Sequence, residues 1–229
     1  MLIVFDLDDT LIETTFQISP HKLKFLIESL KDQGVCFQQK DLDLLFRINQ
    51  GAVGSEEALL EFLELHSFES EKIKQIFKLF RSQHILPEFS FFMPNLHKVI
   101  DLLSKEHQLS LVTRGQVSYQ SMKIDKKEFP KEKFKEIIIV EQGSKIKAYK
   151  EIQKKSYFSP FDVVVVGDRI HADLVPAKRL GFQTIHVKTG RKEAHMIEKE
   201  MIVDYQICSL NELSAIIQDI QIKNFLRLL

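Results

Sequence analysis

The residues of this chain with the most evident chemistry stand in its first ten positions, Leu2-Ile3-Val4-Phe5-Asp6-Leu7-Asp8-Asp9-Thr10. Four apolar residues rich in branched and aromatic side chains describe a strand buried on both faces, and it runs straight into three carboxylates and a hydroxyl. Asp-x-Asp at the end of such a strand delivers two acids to the carboxyl edge of a sheet, where open α/β folds keep their ligand crevice. Left to themselves these acids repel and raise each other's pKa. A divalent cation, or a task that needs one acid protonated, makes the pairing tolerable. Asp-x-Asp alone is more often an acid-rich turn. Here, however, two further apolar runs also end in polar residues: Leu109-Ser110-Leu111-Val112 at Thr113-Arg114-Gly115, and Val163 to Val166 at Gly167-Asp168, with Asp173 a turn further on. Between those two strands lies a cluster of lysines beginning at Lys145.

Alternating strands and helices are needed to bring these segments together. Pro94 opens a helix carrying Leu96, Val99, Ile100 and Leu103 ahead of the strand at Leu109. A polar helix to about Lys126 follows Gly115, then the strand Ile137 to Val140, a lysine-rich helix over 144–155 and the valine strand. A helix from Ala172 to Leu180, the strand Thr184 to Val187 and a last helix opened by the capping pair Ser209 and Glu212 complete the pattern. Continuous apolar strands alternating with helices mean a parallel sheet covered on both faces. The stretch between Thr14 and Phe89 differs. Ser19-Pro20 reads as a helix start, with Ser19 as N-cap, and Leu23, Leu26, Ile27 and Leu30 follow at helical spacing before Gly34. Helical patterns over 41–48, 55–65 and 70–81 come next, with no strand signal among them. The expected division is an α/β core of residues 1–13 and 92–229, with a helical cap of 14–91 inserted on short connections that suit a hinge.

Composition narrows the function classes. Of 229 residues 44% are hydrophobic and 28% charged, the profile of a globular protein in water. Lys+Arg and Asp+Glu balance at 32 each, so no overall field favours nucleic acid or an anionic membrane. Cys36 and Cys208 stand far apart with no metal-type spacing, and the histidines lack a His-x-x-x-His pair. The first apolar run is too short for a signal peptide and no other would span a bilayer, so the expected location is the cytoplasm.

The order of the three strand ends resembles the haloacid dehalogenase superfamily, whose members are mostly phosphatases. Phe5-Asp6-Leu7-Asp8-Asp9-Thr10-Leu11 is similar to the family's hhhhDxDxT signature. Leu111-Val112-Thr113-Arg114-Gly115 is similar to its second motif, and Val166-Gly167-Asp168-Arg169-Ile170-His171-Ala172-Asp173 to its acidic fourth motif. The resemblance spans the whole sheet domain and implies a Rossmann-like α/β core with a helical cap between the first and second motifs. It implies Asp6 as a nucleophile that becomes an aspartyl-phosphate, and Asp8 as the acid and base for leaving group and water. It also implies Mg²⁺ held by Asp6, the Asp8 carbonyl and Asp168, with Asp173 at the metal site behind them, orienting a metal-bound water. Thr113 and the amide of Arg114 would bind the phosphoryl oxygens. The family's lysine is often followed by proline, which this chain lacks. Lys145 stands where that lysine enters its helix, and Lys147, two residues on, reads as surface.

Other residues carry weaker signals. His171 and Arg169 read as surface and loop-capping residues inside the acidic motif. Arg47, Asn49 and Gln50 precede Gly51-Ala52-Val53-Gly54 between two predicted helices. In relatives with such inserts a loop of this kind faces the site and selects substrate; an ordinary interhelical turn fits equally well. The expected activity is Mg²⁺-dependent hydrolysis of a small soluble phosphomonoester, such as a sugar phosphate, phosphoglycolate or a nucleotide monophosphate. A phosphomutase with the same aspartyl-phosphate, or a silent binding protein on the same fold, are the alternatives.

Overall fold

A computed structural model describes residues 1–191 and 199–227. In chain order the elements are β1 (Leu2–Phe5), α1 (Ser19–Lys31), α2 (Gln39–Gly51), α3 (Ser55–Leu65), α4 (Ser70–Ser82), α5 (Leu96–Leu103), β2 (Gln108–Arg114), α6 (Val117–Ile124), β3 (Phe134–Val140) and α7 (Ile146–Ser156). They continue with β4 (Val163–Gly167), α8 (Val175–Lys178), β5 (Gln183–Val187), α9 (Lys199–Ile202), β6 (Tyr205–Ile207) and α10 (Leu213–Leu226). Two compact units contain them. One comprises residues 1–12, 92–190 and the described residues from 199 onward; the other comprises 13–91 together with Arg191.

The first unit is an α/β domain, a six-stranded parallel sheet in the order β3-β2-β1-β4-β5-β6 with helices on both faces. Every residue of β1 and β4 is buried, as central strands covered on both sides must be. Tyr149 and Ile152 of α7, with Leu174 and Ala177, close over Leu2, Val4, Val112, Val163 and Val165 to make one core. Each such aliphatic side chain contributes about 1.5–3 kcal/mol through burial. Register positions the chemistry. Phe5 lies opposite Leu111 on one side and Val166 on the other. Asp6, Thr113 and Asp168 therefore leave the carboxyl ends of three adjacent strands, where the sheet order reverses direction.

The second unit is helical, with no strand within 13–91. Leu23, Leu26, Ile27 and Leu30 of α1 face Leu45, Leu59, Phe62, Leu63, Ile76 and Phe80 in a separate core. Several boundaries depart from expectation. Ser19 is not an N-cap, because a π-turn over Thr14–Ile18 already leads into α1; its buried hydroxyl accepts from Ser55 Oγ at 2.9 Å. The helix expected over 172–180 is a π-turn, Ile170–Leu174, and the short α8. β6 carries no clear sequence signal, since three residues at a sheet edge are too few to set a period. The Ser209–Glu212 capping pair forms, with Glu212 Oε1 accepting from the Ser209 amide at 2.9 Å. No helix among the described residues is long and apolar enough to cross a membrane.

Candidate active site

Three carboxylates meet at the strand ends. Asp6, Asp168 and Asp173 are 6%, 5% and 1% exposed, and each offers an oxygen within 4.8 Å of the others. Lys145, at the entry to α7 and 2% exposed, donates to Asp6 Oδ1 and lies 2.7 Å from Asp173 Oδ1. Lys147 is exposed. The second oxygen of Asp6 accepts weakly from Thr10 Oγ1 at 3.4 Å, and Asp173 Oδ2 accepts from the Arg169 amide at 3.0 Å. Asp173 thus has both oxygens engaged and stands behind the other two acids. His186, from β5, reaches the Asp168 carbonyl with Nε2 at 2.9 Å and fixes the backbone there. His171 is exposed.

The Asp8 carboxylate is held from α6 and lies near enough to Asp6 to push that carboxyl up. Lys123 Nζ donates to Asp8 Oδ1 at 2.6 Å and Gln120 Nε2 to Asp8 Oδ2 at 2.7 Å. Gln120 also donates to Thr113 Oγ1 at 2.5 Å. Thr113 is fully buried, whereas the Arg114 side chain is exposed, which leaves its amide as the relevant group. Sequence reasoning missed both α6 residues. Their three-residue spacing on a helix read only as polar was the available signal.

Burial without a cation is unfavourable for these acids. Desolvation pushes the Asp6 carboxyl up to about 7, against the pull of Lys145 and with further upward pressure from Asp173 and Asp8. Asp168 is pushed well above the carboxylate range by burial and then by Asp173, Asp6 and Asp9. An all-oxygen donor set with excess negative charge suits a hard divalent ion such as Mg²⁺. Raised carboxyl pKa values mean that the folded protein holds protons the unfolded chain has lost. Stability of the metal-free protein should therefore fall as pH rises from about 4 to about 7. A divalent ion such as Mg²⁺ would bind the ionised form, so its stabilising effect should grow over the same range. Thermal melts in chelator and in Mg²⁺ across that window test this; an equal Mg²⁺ increment at both ends would contradict it.

Gly167 ends β4 directly against Asp173. A Cβ there would lie 2.7 Å from Asp173 Cβ and Oδ2 and 2.9 Å from Cγ, so the acid cannot yield by rotation alone. Gly167→Ala should destabilise the fold by about 1–3 kcal/mol, the usual cost of overpacking, and lower activity with it. A melt and a turnover assay on one preparation check the pairing of the two losses.

The expected selectivity residues fare differently. α2 continues through Gly51, so Arg47, Asn49 and Gln50 belong to its last turns rather than to a loop approach. Arg47 and Gln50 are exposed, but Asn49 is fully buried. Its amide donates to the Thr15 carbonyl at 3.4 Å, and its side-chain and main-chain oxygens accept from Arg191 at 2.8 Å each. The Asn49 side chain is an internal tie of the helical unit.

An open parallel sheet with buried acids at its reversal point defines an α/β protein with its candidate site at the carboxyl edge of the sheet. A family model described as HAD-hydrolase-like matches residues 145–213. Glyceraldehyde 3-phosphate phosphatase of Pyrococcus furiosus is 26% identical over 231 residues, covering 95% of this chain and 92% of that protein. Among solved structures, a HAD-superfamily hydrolase of subfamily IA, variant 1, from Geobacter sulfurreducens superposes with a TM-score of 0.69 at 13% identity, over 94% of this chain and 95% of that one. YfnB of Bacillus subtilis, a suspected HAD-hydrolase bound to magnesium, gives 0.64 at 17% identity over 94% and 97%. At such identities the structural likeness speaks to the fold. The match over 145–213 and the similarity to a phosphatase along most of the chain point the same way as the fold, toward hydrolases of the HAD type.

Proposed function

We propose that this protein is a Mg²⁺-dependent phosphomonoester hydrolase that works through a phosphorylated Asp6. The observation that carries the reading is the meeting of Asp6, Asp168 and Lys145 beside Thr113 at three neighbouring strand ends. Asp6, Asp168 and the Asp8 carbonyl would hold the ion, with Asp173 behind them. When bound, the ion offsets the negative charge that nucleophile and phosphate bring together. An Asp6 oxygen attacks phosphorus as the bond to the leaving oxygen breaks, and Asp8 gives that oxygen its proton. Asp8 then takes a proton from the water that attacks the acyl phosphate, which frees inorganic phosphate and restores the Asp6 carboxylate. Lys145, the Thr113 hydroxyl and the Arg114 amide bear the charge on the phosphoryl oxygens, the largest demand of the transition state. A small phosphorylated metabolite is the substrate class, and the relative named for glyceraldehyde 3-phosphate makes triose and other sugar phosphates the first to assay. The test is phosphate release from a metabolite panel and an aryl phosphate, with Mg²⁺ and with chelator. Turnover that chelator leaves unchanged, or none on any ester, would overturn the reading.

A further inference from the structure

We infer that Gln120 and Lys123 of α6 are positioning residues that aim the proton-transferring Asp8 and set Thr113 as a hydrogen-bond donor. The inference rests on the phosphatase reading above and assigns roles within that site. Both side chains are buried, 2% and 3% exposed, on one face of the helix. A buried ammonium is costly unless it is paired, and Lys123 is paired twice: with Asp8 Oδ1 at 2.6 Å and with Gln120 Oε1 at 2.7 Å. The second contact fixes which way the Gln120 amide points. Its oxygen faces the lysine, so its nitrogen faces Asp8 Oδ2 at 2.7 Å and Thr113 Oγ1 at 2.5 Å.

Two consequences follow from the donor count. Asp8 is gripped at both oxygens from different directions, so its carboxylate has one orientation instead of a rotor's several. Thr113 Oγ1 accepts from the amide, so the hydroxyl hydrogen is directed to another acceptor, and a phosphoryl oxygen supplies one. Gly115 seats the amide: at φ +154 its missing Cβ would come 3.2 Å from Gln120 Cγ and Cδ. A role in stability alone accounts poorly for the cluster. Lys123 is buried but Asp8 is 27% exposed, and a pair of this kind adds little net stability, so its value lies in where it holds Asp8.

Leaving-group dependence separates positioning from general damage. An alkyl phosphate needs its leaving oxygen protonated, whereas an activated aryl phosphate does not, and kcat/KM reports the step that phosphorylates Asp6. Lys123→Met should lower kcat/KM by about 10²-fold on an alkyl ester and by less than about tenfold on p-nitrophenyl phosphate. The Mg²⁺-induced rise in melting temperature should persist. Should Lys123→Met fail to fold, Gln120→Met keeps the lysine pair. It should show the same bias toward alkyl loss with a raised KM for both esters. Equal losses on the two esters, or no loss, in folded variants of an active enzyme would overturn this inference alone. Failure of the wild-type chain to hydrolyse either ester would overturn it together with the phosphatase reading.

Discussion

Lys145→Met is expected to slow phosphate release by about 10²- to 10³-fold at neutral pH, the scale seen when one preorganised donor is removed from a transition state. Burial works against the Lys145 ammonium, but Asp173 and Asp6 outweigh it and push its pKa up, so it is charged at every usable pH. Methionine fills similar space without charge and leaves two buried carboxylates uncompensated. Breaking a buried pair by removing one partner costs about 3–5 kcal/mol, unless the stranded group takes up a proton. Asp6, already near 7, is the group placed to do so, and a protonated Asp6 cannot attack phosphorus. The acid limb of kcat/KM should therefore move to higher pH, and the deficit should be largest below pH 7. Lys147→Met, on the exposed side of α7, should stay close to wild type. Steady-state phosphate release from pH 6 to 9 measures both variants, and a Lys147→Met deficit matching that of Lys145→Met would reverse the assignment.

The sheet and the acids were legible because they depend on local rules. Leu2 to Phe5 and Val163 to Val166 are apolar at every position, which only a strand covered on both faces accommodates. The polar residue that ends each run then falls at the sheet edge by register. Lys145 was legible from its place at a helix entry between the second and fourth motifs. The Gln120–Lys123 grip was not, because its meaning lies in Asp8, more than a hundred residues earlier. A polar pair on a short helix says nothing about what it will face. Asn49 is the opposite case. It drew notice because it precedes a stretch similar to the substrate-selecting loops of relatives with such inserts, and the structure buries it in the last turn of α2. The interior of α2 satisfies that amide with Thr15 and Arg191, and burial, not chemistry, decided its role.

Asp6→Asn carries the largest expected effect, a loss of at least about 10⁴-fold, because removing a covalent nucleophile leaves only binding and charge stabilisation. The two side chains have nearly the same shape, so the carboxyl edge of β1 can keep its register, and the Asp6 amide can still donate to the Val166 carbonyl at 2.9 Å. Lys145 retains Asp173 as partner. The substitution also removes one desolvated acid, so the metal-free variant should melt no lower than wild type near pH 7 and lose part of the wild-type decline with rising pH. Its response to Mg²⁺ should weaken, since one of the anionic oxygens is gone. Acid quenching during turnover should trap a phosphoryl group on the wild-type peptide that contains Asp6 and none on the variant. A folded Asp6→Asn protein that still released phosphate at a tenth of the wild-type rate would mean that another group attacks phosphorus. Asp8, gripped at both oxygens by Lys123 and Gln120, could take over only by breaking that grip, so a rise in turnover on adding Lys123→Met to Asp6→Asn would identify Asp8 as that group.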